Sequence, residues 1–305
     1  MPPIGGPRHR ILVEAQDAVI RSAARQALSR AGFEVSDCAG PGPGHPCPLL
    51  TGGACSLVDR SDVVVNAMSG RSGQAVREQL APKGSEPGPE LLVLTGWHGA
   101  PAAGEAANLP TSARDAELLE AVNRLHGRRF RHLRLPVTLH DGRRVVIRAV
   151  RPDDAERLRA FDAALSARSR QLRYLGSKPA MTEDWARHLS EVDFDRRFAL
   201  VATAEDGTAE RIVADCRLLS SEEVTGELAI VVADDFQGVG LGRLLVDLTL
   251  RVAEARGLPR VFADVRYDNR PMALLLRSEG FQRTGWDLGV MTFARPSGLA
   301  PETGL

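Results

Sequence analysis

The 305-residue sequence has no excess of charge of either sign: Lys plus Arg and Asp plus Glu both number 39. A strongly basic nucleic-acid footprint is therefore not signalled, and only a local patch is compatible with the composition. Cysteine is scarce, with four in the whole chain, which excludes a disulfide scaffold and points to reduced thiols in a cytoplasmic setting. No apolar run approaches the ~18 residues that a membrane helix requires. The opening residues lack the apolar segment of a signal peptide. Internal repeats are absent. What is present, 43% hydrophobic and 26% charged residues, is the balance of a globular protein with room for two domains.

The first part of the chain alternates strand and helix. Residues 9–14 (HRILVE) read as a strand. Asp17 caps a helix that sets Ile20, Ala24, Ala27, Leu28 and Ala31 on one face, and Gly32 ends it. A strand is expected at 33–36, a Gly/Pro-rich loop over 40–53, a strand at 62–68 and a helix at 72–80. Residues 83–89 break the chain. A strand follows at 90–95, a loop at 99–110 and a last helix at 114–126. This order implies a parallel sheet covered by helices on both faces. The basic stretch Arg128, Arg129, Phe130, Arg131 and His132 reads as a linker in preference to a nucleic-acid patch. The fold class is α/β, with one domain over 1–130 and another over 131–305.

Beyond residue 137 the pattern changes. Strands at 137–139 and 144–148 flank an Asp141-Gly142 turn. Pro152 opens a helix to about residue 165, and another helix covers 182–191. Strands are expected at 198–204, 211–219 and 227–233. A helix over 240–256 carries Leu241, Leu244, Leu245, Leu248 and Val252 as one stripe. A strand at 260–266, a helix at 270–278 and a final strand at 288–293 complete a mostly antiparallel domain.

The segment with chemical content is GELAIVVADDFQGVGLGRLLVDLTL, residues 226–250. A strand ends, Gly238, Gly240 and Gly242 leave backbone N–H groups uncovered, and a helix begins. Unpartnered amides at the positive end of a helix dipole suit a phosphate or pyrophosphate. A Walker loop is excluded because Arg243 and Leu244 follow Gly242 in place of Lys and Ser or Thr. A dinucleotide-binding fold is disfavoured because the turn comes late in its domain.

The string Gln-x-x-Gly-x-Gly at 237–242, the strand at 258–266 and the segment NRPMALLLRSEGF at 269–281 together resemble the GCN5-related N-acetyltransferases (GNAT) over residues 137–294. The resemblance implies a GNAT mixed sheet and acetyl-CoA as co-substrate. Gln237, Gly238, Val239, Gly240, Gly242 and Arg243 would hold its pyrophosphate. Val231, Val232 and Asn269 would be further cofactor contacts, with the pantetheine arm lying between the strands at 227–233 and 260–266. The segments RAVRPDD (148–154), LSARSRQLRYLG and EVDFDRRFALVA are similar to bacterial protein-lysine acetyltransferases that modify acyl-CoA synthetases. That similarity implies a protein-lysine acceptor and makes Glu227 the general base. An amine of pKa ~10.4 is protonated at neutral pH and must lose a proton before it attacks a thioester. A carboxylate can accept that proton if burial raises its pKa. Transfer to a small amine, or an acyl-CoA sensor without catalysis, are the alternatives. The helix Tyr that serves many family members as general acid corresponds here to Leu276. Tyr267 reads as structural, and Asp193, Asp195, Glu183 and Asp184 as solvated acids.

Residues 8–127 resemble a response-regulator receiver domain with a flavodoxin-like parallel sheet. The motif positions imply that its chemistry is lost: Ala15 and Gln16 replace the paired acids, Asn66 or Ala67 the phospho-accepting Asp, and Thr111 the Lys. Thr95 alone matches. The resemblance implies a docking or dimerisation module, with a ligand sensor as the alternative, and the short linker between two compact domains suggests that residues 1–130 restrain or target the second. Cys38, His45, Cys47 and Cys55 cluster in the long loop. Their spacing fits no standard zinc knuckle. Incidental thiols are favoured over a metal site or a Cys47–Cys55 bridge, and Cys216 reads as core.

Overall fold

In a computed structural model of the chain, residues 10–42, 46–80, 88–95, 107–206, 209–220 and 225–296 are described, and they separate into two units, Met1–Arg129 and Phe130–Leu305. The first unit contains β1 (Arg10–Glu14), α1 (Ala18–Arg30), β2 (Glu34–Cys38), α2 (Ser56–Asp59), β3 (Val63–Asn66), α3 (Gly70–Leu80), β4 (Glu90–Thr95), β5 (Ala107–Pro110) and α4 (Asp115–Arg128). All pairings are parallel, in the order β2-β1-β3-β4-β5. This is the flavodoxin-like doubly wound order. Alternation along the strands divides the core. Ile11, Val13, Val63, Val65 and Leu92 bury against α1 and α4, while Leu12 and Val64 bury with Val58, Val76 and Leu80 on the other face. Burial on both faces is why these strands are unbroken apolar runs.

Three expectations are corrected here. Residues 107–110 form β5 rather than a loop, because β4 supplies the hydrogen-bond ladder that the sequence ANLP does not advertise. The long loop contains a 3-10 turn at Pro48–Thr51, and α2 follows it. The basic linker is folded: α4 runs to Arg128, and Arg129–His132 form a 3-10 turn. Cys38, Cys47 and Cys55 are free thiols, and His45 lies outside the described residues.

Asn66 closes β3, and its Nδ2 donates to Glu14 Oε2 at 2.8 Å, while Arg77 donates to Asn66 Oδ1 at 3.2 Å. Burial pushes the Glu14 carboxyl up, against the lowering effect of that Asn66 bond.

The second unit contains β6 (Arg134–Thr138), β7 (Arg144–Ala149), α5 (Ala155–Ala164), α6 (Ala167–Arg173), α7 (Glu183–Ser190), β8 (Arg197–Asp206), β9 (Ala209–Ser220), β10 (Thr225–Val232), α8 (Leu241–Ala255), β11 (Arg260–Arg266), α9 (Arg270–Ser278), β12 (Gln282–Asp287) and β13 (Val290–Pro296). Its mixed sheet has the order β12-β13-β11-β10-β9-β8-β7-β6, with β10–β11 the parallel pair. The expected single last strand is a hairpin, β12 and β13, turned at Leu288 and Gly289 with φ of 44° and 83°. β12 is an almost wholly exposed edge strand, so it lacks the apolar alternation that marks a strand in sequence.

The segment 148–154 is a structural tie. Arg148 lies on β7 and Asp154 ends the turn before α5, and both are fully buried. Arg148 donates to both Asp154 oxygens at 2.6 and 2.8 Å, and Arg151 N–H adds a third bond. Burial opposes ionisation of Asp154, but these donors outweigh it and hold the carboxyl below the ordinary range.

Candidate active site

β10 and β11 run side by side only at their starts. Their last paired rung is Glu227 with Phe262, although the strands continue to Val232 and Arg266. On their far edges both remain paired, β10 with β9 as far as Ala214 and β11 with β13 as far as Val290. The result is a V-shaped opening. Its facing edges leave backbone groups of residues 228–232 and 263–266 without a ladder partner, and buried or ligand-covered groups of this kind require one.

The glycine turn closes the wide end. Gly238 and Gly240 have φ of 77° and 90°, a region where a side chain is strained. A Cβ on Gly240 would also stand 3.0 Å from the His140 ring. Gly240 is the N-cap of α8 and offers no side-chain bond, so the first-turn amides of Leu241, Gly242 and Arg243 face outward without intrahelical partners. Gly242 lets α8 approach closely, with Val232 and Leu275 at 3.8 and 3.7 Å from where its Cβ would be. Val239 is half-buried beside them.

Three predicted contacts have local occupations. Gln237 Nε2 donates to Val232 O and Ser169 Oγ, both at 3.1 Å. Asn269 Oδ1 accepts from Met272 N at 3.3 Å and caps α9. Arg243 pairs with Glu279 at 3.0 Å. Their side chains shape the turn; the Asn269 and Gln237 backbone N–H groups donate to Arg266 O at 2.9 Å and Asp234 O at 3.5 Å, while the Arg243 amide, in the first turn of α8, faces a ligand.

A device missed by sequence reasoning holds the V open. α6 spans its mouth. On the β10 side, Asp234 accepts from Ser166 N–H, Ser166 Oγ and Ser169 Oγ at 2.9, 2.7 and 2.7 Å. On the β11 side, Arg168 donates to Asp268 at 2.7 Å. Desolvation opposes ionisation of Asp234, yet the Ser166 and Ser169 donors together outweigh it and hold the carboxyl below its usual range.

Strand alternation puts Glu227, Ala229 and Val231 on the face opposite α8. There a cavity of about 210 Å³ is walled by Glu227, Ala229, Arg217, Asp215, Tyr174 and Trp185, among others. Asp215 is engaged by Arg217 at 2.8 Å and Arg173 at 3.8 Å. Glu227, half-buried, makes no ion pair among the described residues. Tyr174 and Trp185 pack at 5.3 Å between ring centroids. Tyr174 donates to Asp162 at 2.8 Å, and burial together with that carboxylate pushes its phenol well up, so it is a poor proton donor. Both aromatics escaped sequence reasoning because no spacing rule joins α6 to α7.

Leu276 is fully buried and has no proton to give. Tyr267 is exposed and packs on Trp286 at 6.2 Å. Asp193 accepts three backbone N–H bonds at 2.8 Å and organises its loop, while Glu183 and Asp184 pair with Arg187 on the surface. Cys216 is core: its Sγ is 3.2 Å from Thr249 Oγ1, and burial pushes the thiol up to about 12. Among the described residues no cluster of ligands could hold a metal, and no helix is long and apolar enough to cross a membrane.

The model of the GNAT acetyltransferase domain family matches residues 144–282. An acetyltransferase of Pseudomonas aeruginosa is 33% identical over 145 residues, which cover 47% of this chain and 78% of that protein. The chain belongs to the GNAT acetyltransferases. The family uses acetyl-CoA as co-substrate, and this member is an acyl-CoA-dependent N-acyltransferase. The acetyltransferase Pat of Mycolicibacterium smegmatis is 29% identical over 52% of this chain, but the match spans only 47% of Pat's own length. The GNAT domain of S. lividans PAT aligns with a TM-score of 0.49 at 25% identity, covering 53% of this chain and 96% of that one.

Proposed function

We propose that this GNAT protein moves an acetyl group from acetyl-CoA to the side-chain amine of a protein lysine, an acyl-CoA synthetase being one candidate acceptor. The observation that carries the reading is the position of Glu227: a carboxylate without an ion pair among the described residues, at the last rung before the V opens, in the wall of an aromatic-lined cavity. A lysine ammonium entering there meets ring faces that favour a cation and a free carboxylate that can take its proton.

The backbone edges of residues 228–232 and 263–266 would pair with the amides of the pantetheine arm, as an added strand would. Val231 and Val232 would line that arm. The amides of residues 238–243 would bind the pyrophosphate and hold the thioester carbonyl toward the amine. Asn269 would steady the β11 side of the mouth. When bound, acetyl-CoA supplies an activated acyl group and a thiolate leaving group. Glu227 takes the ammonium proton, directly or through water, and the neutral nitrogen attacks. Leu276 stands where the family's helix Tyr would be and has no proton to give, which a thiolate leaving group tolerates.

Replacement of Glu227 by Gln tests the assignment. Turnover on a lysine peptide is expected to fall by about a hundred- to ten-thousand-fold, the range for a lost general base, with acetyl-CoA affinity retained. Full activity in Glu227→Gln would remove Glu227 from the mechanism.

A further inference from the structure

Of the 39 basic residues only two are lysines, Lys83 and Lys178; all others are arginine. Lys83 lies outside the described residues. Lys178 stands on the connector between α6 and α7, just after Leu175 turns the chain with a left-handed φ of 58° that a leucine rarely adopts. Its Nζ lies 3.9 Å from the Trp185 ring centroid and 4.9 Å from that of Tyr174. Both distances are within cation–π range. No carboxylate pairs with Lys178 among the described residues, and the two rings hold its ammonium. Those rings, Lys178 itself and Glu227 line one and the same cavity.

The place where the cavity would receive an ammonium therefore already contains one, borne on a connector with no regular secondary structure. In a chain that uses arginine almost everywhere else, a guanidinium would have satisfied the rings equally well. Only an amine can be acylated.

We propose that Lys178 is a self-acetylation site, modified by the enzyme in the cavity that it offers to external amines. The inference rests on the lysine-acetyltransferase reading given above. Nζ gives one proton to Glu227, and the freed lone pair attacks the thioester carbonyl of acetyl-CoA. The N–C amide bond forms, the C–S bond breaks, and CoA leaves as a thiolate that takes up the second proton lost by the nitrogen. No oxidation or reduction is involved. The product side chain is neutral and loses its attraction to the ring faces. Modification thus frees the cage of its resident cation and opens the cavity to a lysine from another protein.

The test incubates the full-length protein with acetyl-CoA alone and follows Lys178 and Lys83 by peptide mass spectrometry at several protein concentrations. A parallel arm adds a lysine peptide. Acetylation of Lys178 is expected to exceed that of Lys83 by about ten-fold or more, as proximity in one molecule dictates, with a rate constant independent of protein concentration. It is expected to collapse in Glu227→Gln. Equal rates at the two lysines, or an unchanged Lys178 rate in Glu227→Gln, would mark the modification as uncatalysed and overturn the proposal. Transfer to the peptide with Lys178 untouched overturns the self-acetylation alone. Transfer to neither, in a protein that binds acetyl-CoA, overturns the lysine reading as well.

Discussion

In the sequence it is the resemblance to lysine-modifying acetyltransferases that singles out Glu227, and the strand start, apolar run and glycine turn around it place it along one element. What the sequence could not show is why Glu227, rather than Asp215, is the free carboxylate of the cavity. Asp215 sits on the neighbouring strand, and Arg217 and Arg173 occupy it. That distinction depends on side chains from three elements. Gly240 is a second residue with a sharp expectation. A Gly240→Val substitution meets both a forbidden φ of 90° and the His140 ring. It is expected to weaken acetyl-CoA binding by about ten-fold or more, an amount equal to ~1.4 kcal/mol, as measured by calorimetry. Unchanged affinity would place the cofactor elsewhere.

Among elements, α6 holds the site together. It was not predicted, since LSARSRQLRYLG is short and shows no apolar stripe. Its value lies in contacts to residues 65 to 68 positions away in sequence. Asp234→Ala removes three bonds between α6 and the turn before α8, each worth about 0.5–1.5 kcal/mol net. The expected result is a rise in KM for acetyl-CoA with a smaller change in kcat, because the mouth of the V loosens while Glu227 stays in place. A fall in kcat at constant KM would contradict this.

The tie between β7 and α5 makes a second prediction at this scale. Asp154→Ala leaves the buried Arg148 cation with the longer carboxylate contact to Glu210 at 3.4 Å and is expected to destabilise the second unit by about 3 kcal/mol in denaturant titration. The folded-state pKa of Asp154 is depressed, so its contribution is present above the ordinary carboxylate range and is lost as pH falls through the lower folded value. Acid should therefore erase the difference between the native protein and Asp154→Ala. A gap that persists at low pH would point to another cause.

At the scale of the whole molecule, sequence periodicity was enough for the parallel sheet of the first unit and for a mostly antiparallel second unit, whose mixed sheet followed from the family resemblance. Long apolar strands and the α8 stripe carry strong local signals. β5 and β12 were missed because edge strands take their conformation from the neighbour that pairs with them. For the first unit we infer a docking or dimerisation role. On the receiver-like reading the phospho-acceptor would fall at Asn66 or Ala67; Asn66 is bonded to Glu14 and Arg77, and neither side chain can form an acyl-phosphate. Burial raises the Glu14 pKa, so its cost to folding appears as pH rises through the folded value and is absent at low pH. Glu14→Gln should therefore raise the thermal midpoint of this unit at neutral pH and have little effect in acid. If the first unit targets or restrains the enzyme, the 131–305 fragment will differ from the full chain in acceptor range or rate, and identical kinetics would argue against it.

The central claim is that Glu227 deprotonates a lysine amine for attack on acetyl-CoA. The most direct measurement is CoA thiol release by the full-length protein with acetyl-CoA and a lysine peptide, run beside Glu227→Gln. The account predicts lysine-dependent release, lost by about a hundred-fold or more in Glu227→Gln while calorimetry shows acetyl-CoA still bound. Release that is independent of lysine, or equal in the two proteins, would contradict it.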